Sequence, residues 1–333
     1  NVTISTGADA DYTDLATVFT PNSGAATSTV NTTTLANALL TNNITITTTN
    51  AGVDGGSVGN ITISNPVTWA SSNSLTLIAA NNIIISAAIT IGNAAGAQLI
   101  LDAAGATTQT AIIGGLGRLV LQGAGTTTVS LATNSYSGGT FLNAGTLSVA
   151  SLPIAAGNST IGTGALSING GTLAYTGGNL NFNRAITVGL SGGTIQSTTA
   201  GVTTLTLSGG INNSGVLTFN TTGAGPANIT MATNAITGAG SVVKNGTGNL
   251  TFGVANTYLG TTTVNNGTLT VGNINALGSG ATQSSSITVA SGATLTMNAN
   301  GTFGNTNSLT LNGVGITAAG ALISTTGTST MIN

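Results

Sequence analysis

Short runs in which apolar and polar residues alternate recur along almost the whole chain. Clear examples are residues 43–47 (NITIT), 60–64 (NITIS), 74–78 (SLTLI) and 286–289 (SITV). A period of two places the apolar side chains on one face of a strand, and the β-branched residues Ile, Val and Thr favour an extended backbone. Gly, Asn and Ser separate the runs and supply turn conformations. The sequence therefore predicts an all-β chain of short strands.

An internal duplication decides between a sandwich and a solenoid. The segment Asn134–Thr140 (NSYSGGT) resembles Asn256–Thr262 (NTYLGTT), and Asn143–Val149 (NAGTLSV) resembles Asn265–Val271 (NNGTLTV), both at an offset of 122 residues. A solenoid can duplicate part of itself because each coil contacts only its neighbours. We therefore predict a right-handed parallel β-helix over residues 43–333, with roughly 20–30 residues per coil and stacked Asn, Thr and Ser ladders.

Residues 1–42 differ from the rest of the chain. Leu35, Ala38 and Leu39 follow Thr34 at helical spacing, and Thr is a residue that can cap a helix. We predict one short helical turn here, packed on the first coils. The segment 1–42 is interpreted as an N-terminal cap or entry segment.

Charged side chains are nearly absent, at 2% of residues, whereas 40% are hydrophobic. The exposed surface must therefore consist of hydroxyls, amides and methyl groups. The three basic residues Arg118, Arg184 and Lys244 are expected to be isolated solvated charges. They are too few for nucleic-acid binding or a polybasic membrane patch, and no run of about 18 apolar residues predicts membrane insertion. So little charge favours self-association, either lateral or end to end.

The residues needed for catalysis are scarce. His, Cys and Glu are absent, and outside the first 14 residues the acids are Asp54 and Asp102, which we interpret as surface turn residues. A serine nucleophile would lack a histidine base. The sequence therefore predicts a protein that is not an enzyme and has no cofactor, with a β-helical polysaccharide-active enzyme as a remote alternative.

The densest acidic cluster is Asp9, Asp11 and Asp14. Carboxylates at this spacing can gather oxygen ligands for Ca²⁺, although the Gly and the distal Glu of an EF-hand loop are missing. Two interpretations stay open, a weak calcium site and a solvated loop at the cap.

The duplicated motif resembles a known repeat. Residues 248–271 (GNLTF through NTYLGTTTVNNGTLTV), and more weakly 127–149, resemble the passenger-associated repeat of bacterial autotransporters. Residues 69–101 are similar to filamentous-haemagglutinin-type exoproteins. The resemblance implies a right-handed β-helix secreted through the outer membrane and displayed at the bacterial surface. The translocating barrel and the Asn-Pro-Asn motifs of two-partner secretion are not found.

Shape, composition and resemblance together predict an extracellular or cell-surface structural or adhesive segment, a stalk or adhesin. A host, cell-surface or polysaccharide ligand is expected for an adhesin. The alternative is a self-assembling extracellular fibre, matrix or sheath subunit.

Overall fold

The structure, a computed structural model, describes residues 1–14, 16–22, 26–48, 59–92, 94, 96–152, 157–198, 203–223, 227–278, 286–303 and 308–331. These residues divide into two compact units, Asn1–Leu166 and Ser167–Asn333. Short parallel strands stacked coil upon coil build each unit, so the predicted parallel β-helix is confirmed.

Unit 1 contains one helix and the first seventeen described strands. They are β1 (Val2–Ser5), β2 (Tyr12–Asp14), β3 (Val18–Pro21), β4 (Ser28–Asn31), α1 (Thr32–Thr41), β5 (Ile44–Thr47), β6 (Ile61–Ile63), β7 (Val67–Thr68), β8 (Ser74–Ala79), β9 (Ile83–Ile85), β10 (Ile89–Ile91), β11 (Gln98–Ala103), β12 (Thr107–Gln109), β13 (Ile113–Gly115), β14 (Arg118–Leu121), β15 (Thr126–Val129), β16 (Thr140–Leu142) and β17 (Thr146–Val149). Strand β18 (Leu166–Ile168) contains residues on both sides of the division.

Unit 2 contains the remaining described strands and one 3-10 turn, Ile316–Ala318. The strands are β19 (Thr172–Tyr175), β20 (Leu180–Phe182), β21 (Ile186–Val188), β22 (Gly193–Ser197), β23 (Thr203–Leu207), β24 (Ile211–Asn213), β25 (Val216–Thr221), β26 (Ala227–Met231), β27 (Ile236–Thr237), β28 (Ser241–Asn245), β29 (Asn249–Phe252), β30 (Thr262–Val264), β31 (Gly267–Val271), β32 (Ile287–Val289), β33 (Ala293–Met297), β34 (Gly301–Phe303), β35 (Leu309–Leu311), β36 (Leu322–Ser324) and β37 (Ser329–Met331).

Each unit has three main stacks of strands, and in unit 2 β34 and β37 form a further parallel pair. In unit 1 the stacks run β4-β1-β6-β9-β12-β15-β17, β7-β10-β13 and β2-β3-β5-β8-β11-β14-β16. In unit 2 they run β19-β22-β25-β28-β30-β32-β35, β20-β23-β26-β29-β31-β33-β36 and β21-β24-β27. The β2–β3 hairpin is antiparallel, unlike the strand pairs around it.

The register shows how many residues one coil takes. Leu75, Leu99 and Leu119 are partners on three successive coils, so these coils take 24 and then 20 residues. All three side chains point inward and are buried. Burying a leucine fully contributes about 1.5–3 kcal/mol, and a column of them gives the coil its core.

Asparagine side chains link successive coils at one corner of unit 1. Oδ1 of Asn1 accepts a hydrogen bond from the backbone N–H of Asn60 (3.0 Å), Oδ1 of Asn60 accepts one from Asn82 (3.1 Å), and Oδ1 of Asn82 accepts one from Ala106 (2.7 Å). Each amide thus supplies an acceptor for the turn of the next coil. The expected Asn ladder is present at this corner.

Helix α1 is longer than the single turn predicted from residue 34. It begins at Thr32, because Oδ1 of Asn31 accepts hydrogen bonds from the backbone N–H groups of Thr33 (2.8 Å) and Thr34 (3.4 Å). Asn is among the strongest N-cap residues. Leu35 and Leu39 form the buried face, as their spacing indicates. Among the described residues, no helix combines the length and apolar character needed to cross a membrane.

Candidate functional site

The duplicated motif folds into a buried polar cluster in unit 1. The hydroxyl of Tyr136 lies 2.7 Å from Oγ1 of Thr140, and Oγ1 of Thr140 donates to the carbonyl of Ile161 at 3.0 Å. The tyrosine must then donate to the threonine. Asn134 accepts from the backbone N–H of Ile113 (2.8 Å) and donates to the carbonyl of Thr160 (3.0 Å). Asn134, Tyr136 and Thr140 are all completely buried.

Unit 2 contains the same cluster in the second copy of the motif. The hydroxyl of Tyr258 lies 2.6 Å from Oγ1 of Thr262, and Asn256 accepts from the backbone N–H of Ile236 (2.8 Å) while donating to the carbonyl of Ala276 (2.6 Å). Complete burial raises the pKa of Tyr258, although its hydrogen bond with Thr262 acts in the opposite direction. The tyrosine is therefore neutral in any ordinary buffer.

In both units the cluster takes the place of a strand. Ile113 begins β13 and Ile236 begins β27, each the last strand of a stack. The N–H groups of Ile113 and Ile236 would donate to backbone carbonyls if a further strand followed. They donate instead to the side chains of Asn134 and Asn256. Because a buried unpaired N–H group is costly, this substitution allows a stack to end without an orphaned donor. The arrangement is a structural device and has no nucleophile or acid–base pair.

The sequence identified the Asn and Tyr of this motif but not the role of the threonine. Tyr136 and Tyr258 are both completely buried and belong to the core. The hydrogen bond to the threonine four residues later was missed. The sequence contained a signal for this bond, because a Thr follows the Tyr by four residues in both copies of the motif.

The acidic cluster at the N-terminus is engaged in local structure. Asp9 accepts from the backbone N–H of Asn31 (2.6 Å) and from Oγ1 of Thr34 (2.5 Å). Partial burial acts to raise the pKa of Asp9, but the hydrogen bonds from Thr34, Asn31 and Tyr12 together outweigh it, so the pKa is lowered. Asp14 accepts from the backbone N–H of Ala16 (2.8 Å). Asp9 therefore helps to fix the start of α1.

Asp11 has a positive φ of 58°, a backbone conformation that Asp tolerates better than most residues. Its carbonyl accepts a hydrogen bond from the hydroxyl of Ser28 (2.5 Å). Across the described ranges, no group of three Asp, Glu, His or Cys side chains could hold a metal ion. The calcium site at Asp9, Asp11 and Asp14 stays a prediction.

The other two acids do not form a described pair. Asp102 lies at the outer face of β11 and accepts a hydrogen bond from Nε2 of Gln122 at 3.3 Å. Asp54 lies outside the described residues. Asp102 is therefore a strand residue, and its interpretation as a turn residue was wrong.

Lys244 is the main exception to the expected solvated charges. Its side chain points inward from β28 and is completely buried. Nζ donates to the backbone carbonyls of Asn245 (2.8 Å), Gly246 (2.7 Å) and Asn266 (3.1 Å). Burial lowers the pKa of Lys244 to about 8. The expectation of a solvated lysine was wrong, because turn carbonyls from two coils surround the ammonium group.

Two segments of the chain, residues 119–149 and 242–271, match the family described as passenger-associated-transport-repeat. Each segment contains one buried Asn–Tyr–Thr cluster. The chain is also 32% identical over 191 residues to the adhesin BmaC autotransporter of Brucella suis biovar 1 (strain 1330). This alignment covers 57% of the chain and 5% of the adhesin. No solved structure matches the chain.

The relative is named as an adhesin rather than as an enzyme, and the passenger repeat implies secretion to the cell surface. The similarity of residues 69–101 to filamentous-haemagglutinin-type exoproteins stays a prediction. Two segments of the chain match the passenger-associated-transport-repeat, and the resemblance of the chain to autotransporter passengers is confirmed.

Proposed function

We propose that this chain is a β-helical stalk or adhesive segment of a passenger protein displayed on the outside of a bacterial cell. The observation that carries the proposal is the pair of passenger repeats, each folded around a buried cluster that ends one stack of strands. Such clusters satisfy the backbone groups where one stack ends while the other stacks continue, which keeps the coil intact as a spacer. The similarity to an autotransporter adhesin supports the adhesive part of the role.

The polar side chains of the described residues support a non-enzymatic role. Asp9 holds the start of α1, Asp102 is bonded to Gln122, and Lys244 binds three carbonyls. A polysaccharide-cleaving β-helix would need two carboxylates facing one another across the scissile bond. We therefore place the function in binding and spacing.

Surface display can be tested on the cells that make the protein. Antibodies raised against residues 119–271 should label intact cells, and protease added outside should remove the label while a periplasmic marker survives. Fab fragments of these antibodies should reduce attachment to the natural substratum, compared with Fab fragments against another surface protein. Labelling that needs permeabilised cells would overturn the display proposal. Display without any effect on attachment would restrict the role to a stalk.

A fibre or sheath subunit is a second proposal, favoured by the scarcity of charge. The chain has eight charged side chains, three basic and five acidic, so there is little electrostatic repulsion between copies. Electron microscopy of the native material distinguishes the two proposals, since separate rods support the stalk and continuous filaments or sheets support the fibre.

A further inference from the structure

We propose that unit 1 contains a binding site for a carboxylate-bearing sugar of an acidic polysaccharide, centred on Arg118. The site lies at the corner where β14 begins, on the outer surface of the coil. The inference deepens the proposed adhesive function and depends on it for biological meaning. The binding itself is a property of the chain that can be measured without cells.

The guanidinium of Arg118 is held in place, and no salt bridge to it is present among the described residues. Its Cζ lies 5.1 Å from the centroid of the Phe141 ring, which stacks the planar cation against the neighbouring coil. Among the described residues its Nε is buried without a hydrogen-bond partner. Asp102 is no counter-ion, because it lies four residues along β11 from Gln98, the register partner of Arg118. At about 3.3 Å per residue this separation is roughly 13 Å.

A shallow groove lies beside this cation. Gly96, Gly117 and Gly138 line it together with Ala97, Leu116 and Arg118, and the space measures about 260 Å³. A Cβ on Gly138 would lie 2.6 Å from the carbonyl carbon of Gly117, and a Cβ on Gly117 would lie 2.6 Å from the carbonyl oxygen of Ala97. Glycine is therefore required for these coils to pack, and the lack of side chains leaves the groove open.

The walls of the groove suit a sugar ring that carries a carboxylate on one side and has an apolar C–H surface on the other. Leu116 is 52% exposed and presents an apolar surface next to the cation. A guanidinium is always charged and binds carboxylates through two parallel hydrogen bonds. The volume lies just below the usual range for small-molecule sites, which suits a single sugar ring of a longer chain. A uronate-type sugar supplies both the carboxylate and a C–H face for Leu116.

An acidic peptide is the competing ligand class, and the strand pairing disfavours it. Peptides commonly bind β-proteins by adding a strand to a free edge. Strand β14 already pairs with β11 on one side and β16 on the other, so no free edge is available at Arg118. The groove offers a guanidinium and a glycine-lined floor, without deep pockets for side chains.

Ligand-observed NMR on the purified full chain tests the proposal. The probes are a tetrasaccharide of alternating glucuronate and N-acetylglucosamine, an uncharged glucose tetrasaccharide, and tetraglutamate. We expect saturation transfer to the acidic sugar, weakened at high salt by screening, and little transfer to the other two probes. Equal transfer to the neutral sugar, stronger transfer to tetraglutamate, or no transfer to any probe would overturn the inference.

Variants locate the site. Arg118→Gln should weaken binding of the acidic tetrasaccharide at least tenfold, whereas Arg118→Lys should retain part of it because the charge stays and the fork is lost. Leu116→Ser should weaken binding without unfolding the chain, since the side chain is half exposed.

The control is Arg184→Gln, which removes a different arginine, in unit 2, and should leave binding unchanged. Equal affinity of the wild type and Arg118→Gln, with unchanged circular dichroism, contradicts the site. If Arg184→Gln abolished binding and Arg118→Gln did not, the site would lie elsewhere. Failure of the antibodies to label intact cells would contradict surface display but would not contradict this binding site.

Discussion

The hydroxyl oxygen of Tyr258 lies 2.6 Å from Oγ1 of Thr262, and both side chains are buried. In the other copy of the motif, Thr140 has a second partner, the carbonyl of Ile161. Both copies of the motif therefore place a hydrogen bond between a tyrosine and a threonine hydroxyl in the core.

Tyr258→Phe and Tyr136→Phe should each destabilise the protein, because each removes a hydrogen bond between two buried hydroxyls. The loss of one such hydrogen bond should cost about 0.5–1.5 kcal/mol. Urea unfolding measures both differences. The double variant Tyr258→Phe with Thr262→Val should recover most of the loss, and a double variant no more stable than Tyr258→Phe alone would argue against the pairing.

Leu269→Ala should cost about 2–5 kcal/mol in the free energy of unfolding, because it leaves a cavity in a packed core. Leu269 is completely buried between its register partners Leu250 and Leu295. Leu190→Ala is the matched control in the same unit, since Leu190 is 85% exposed. Its change should stay within about 0.5 kcal/mol. Equal losses in the two variants, measured by urea unfolding, would show that burial does not set the cost.

Lys244 should make stability depend on pH. Burial lowers its pKa to about 8, from a value of 10.5 for an ordinary lysine. Below pH 8 both the folded and the unfolded chain hold the proton. Between pH 8 and about 10 the unfolded chain holds it and the folded chain does not, so the free energy of unfolding rises with pH. The whole shift corresponds to roughly 3 kcal/mol.

Urea unfolding at intervals from pH 7 to 9.5 measures this rise. The upper limit avoids the tyrosines, because burial raises the pKa of Tyr175 and Tyr258 and the free energy of unfolding falls once unfolded tyrosines ionise. In Lys244→Met the rise should disappear, whatever the change in absolute stability. A rise of equal size in the variant would assign the effect to another group.

The strand faces could be predicted because the signal is local. Alternation alone indicates that Leu75, Leu99 and Leu119 point inward, and the structure agrees. The start of α1 was placed too late, because Thr32 and Thr33 are weak helix formers and the capping Asn31 acts from outside the periodic stretch. Local pattern therefore predicts which face is buried better than it predicts where an element begins.

The roles of Lys244 and Arg118 could not be predicted in this way. A lysine in a coil is expected in solvent, and only the turn of the following coil supplies the carbonyl of Asn266 that helps to bury it. Arg118 meets Phe141 because β14 and β16 pair in register. Both arrangements depend on which residue lies one coil away, which a single sequence without the coil lengths does not specify.

Self-association is the final prediction, and it depends on charge. The chain has eight charged side chains, three basic and five acidic, and Lys244 is buried. Most proteins stay apart partly through net charge and dispersed surface charges. With so few charges, contacts between copies must be made by hydroxyls, amides and apolar groups.

We expect multi-chain particles whose size hardly changes with salt, since screening acts only on charges. Light scattering from low to molar NaCl measures this. A chain that stays monomeric at high concentration, or particles that dissociate as salt rises, would remove the fibre proposal and leave the stalk.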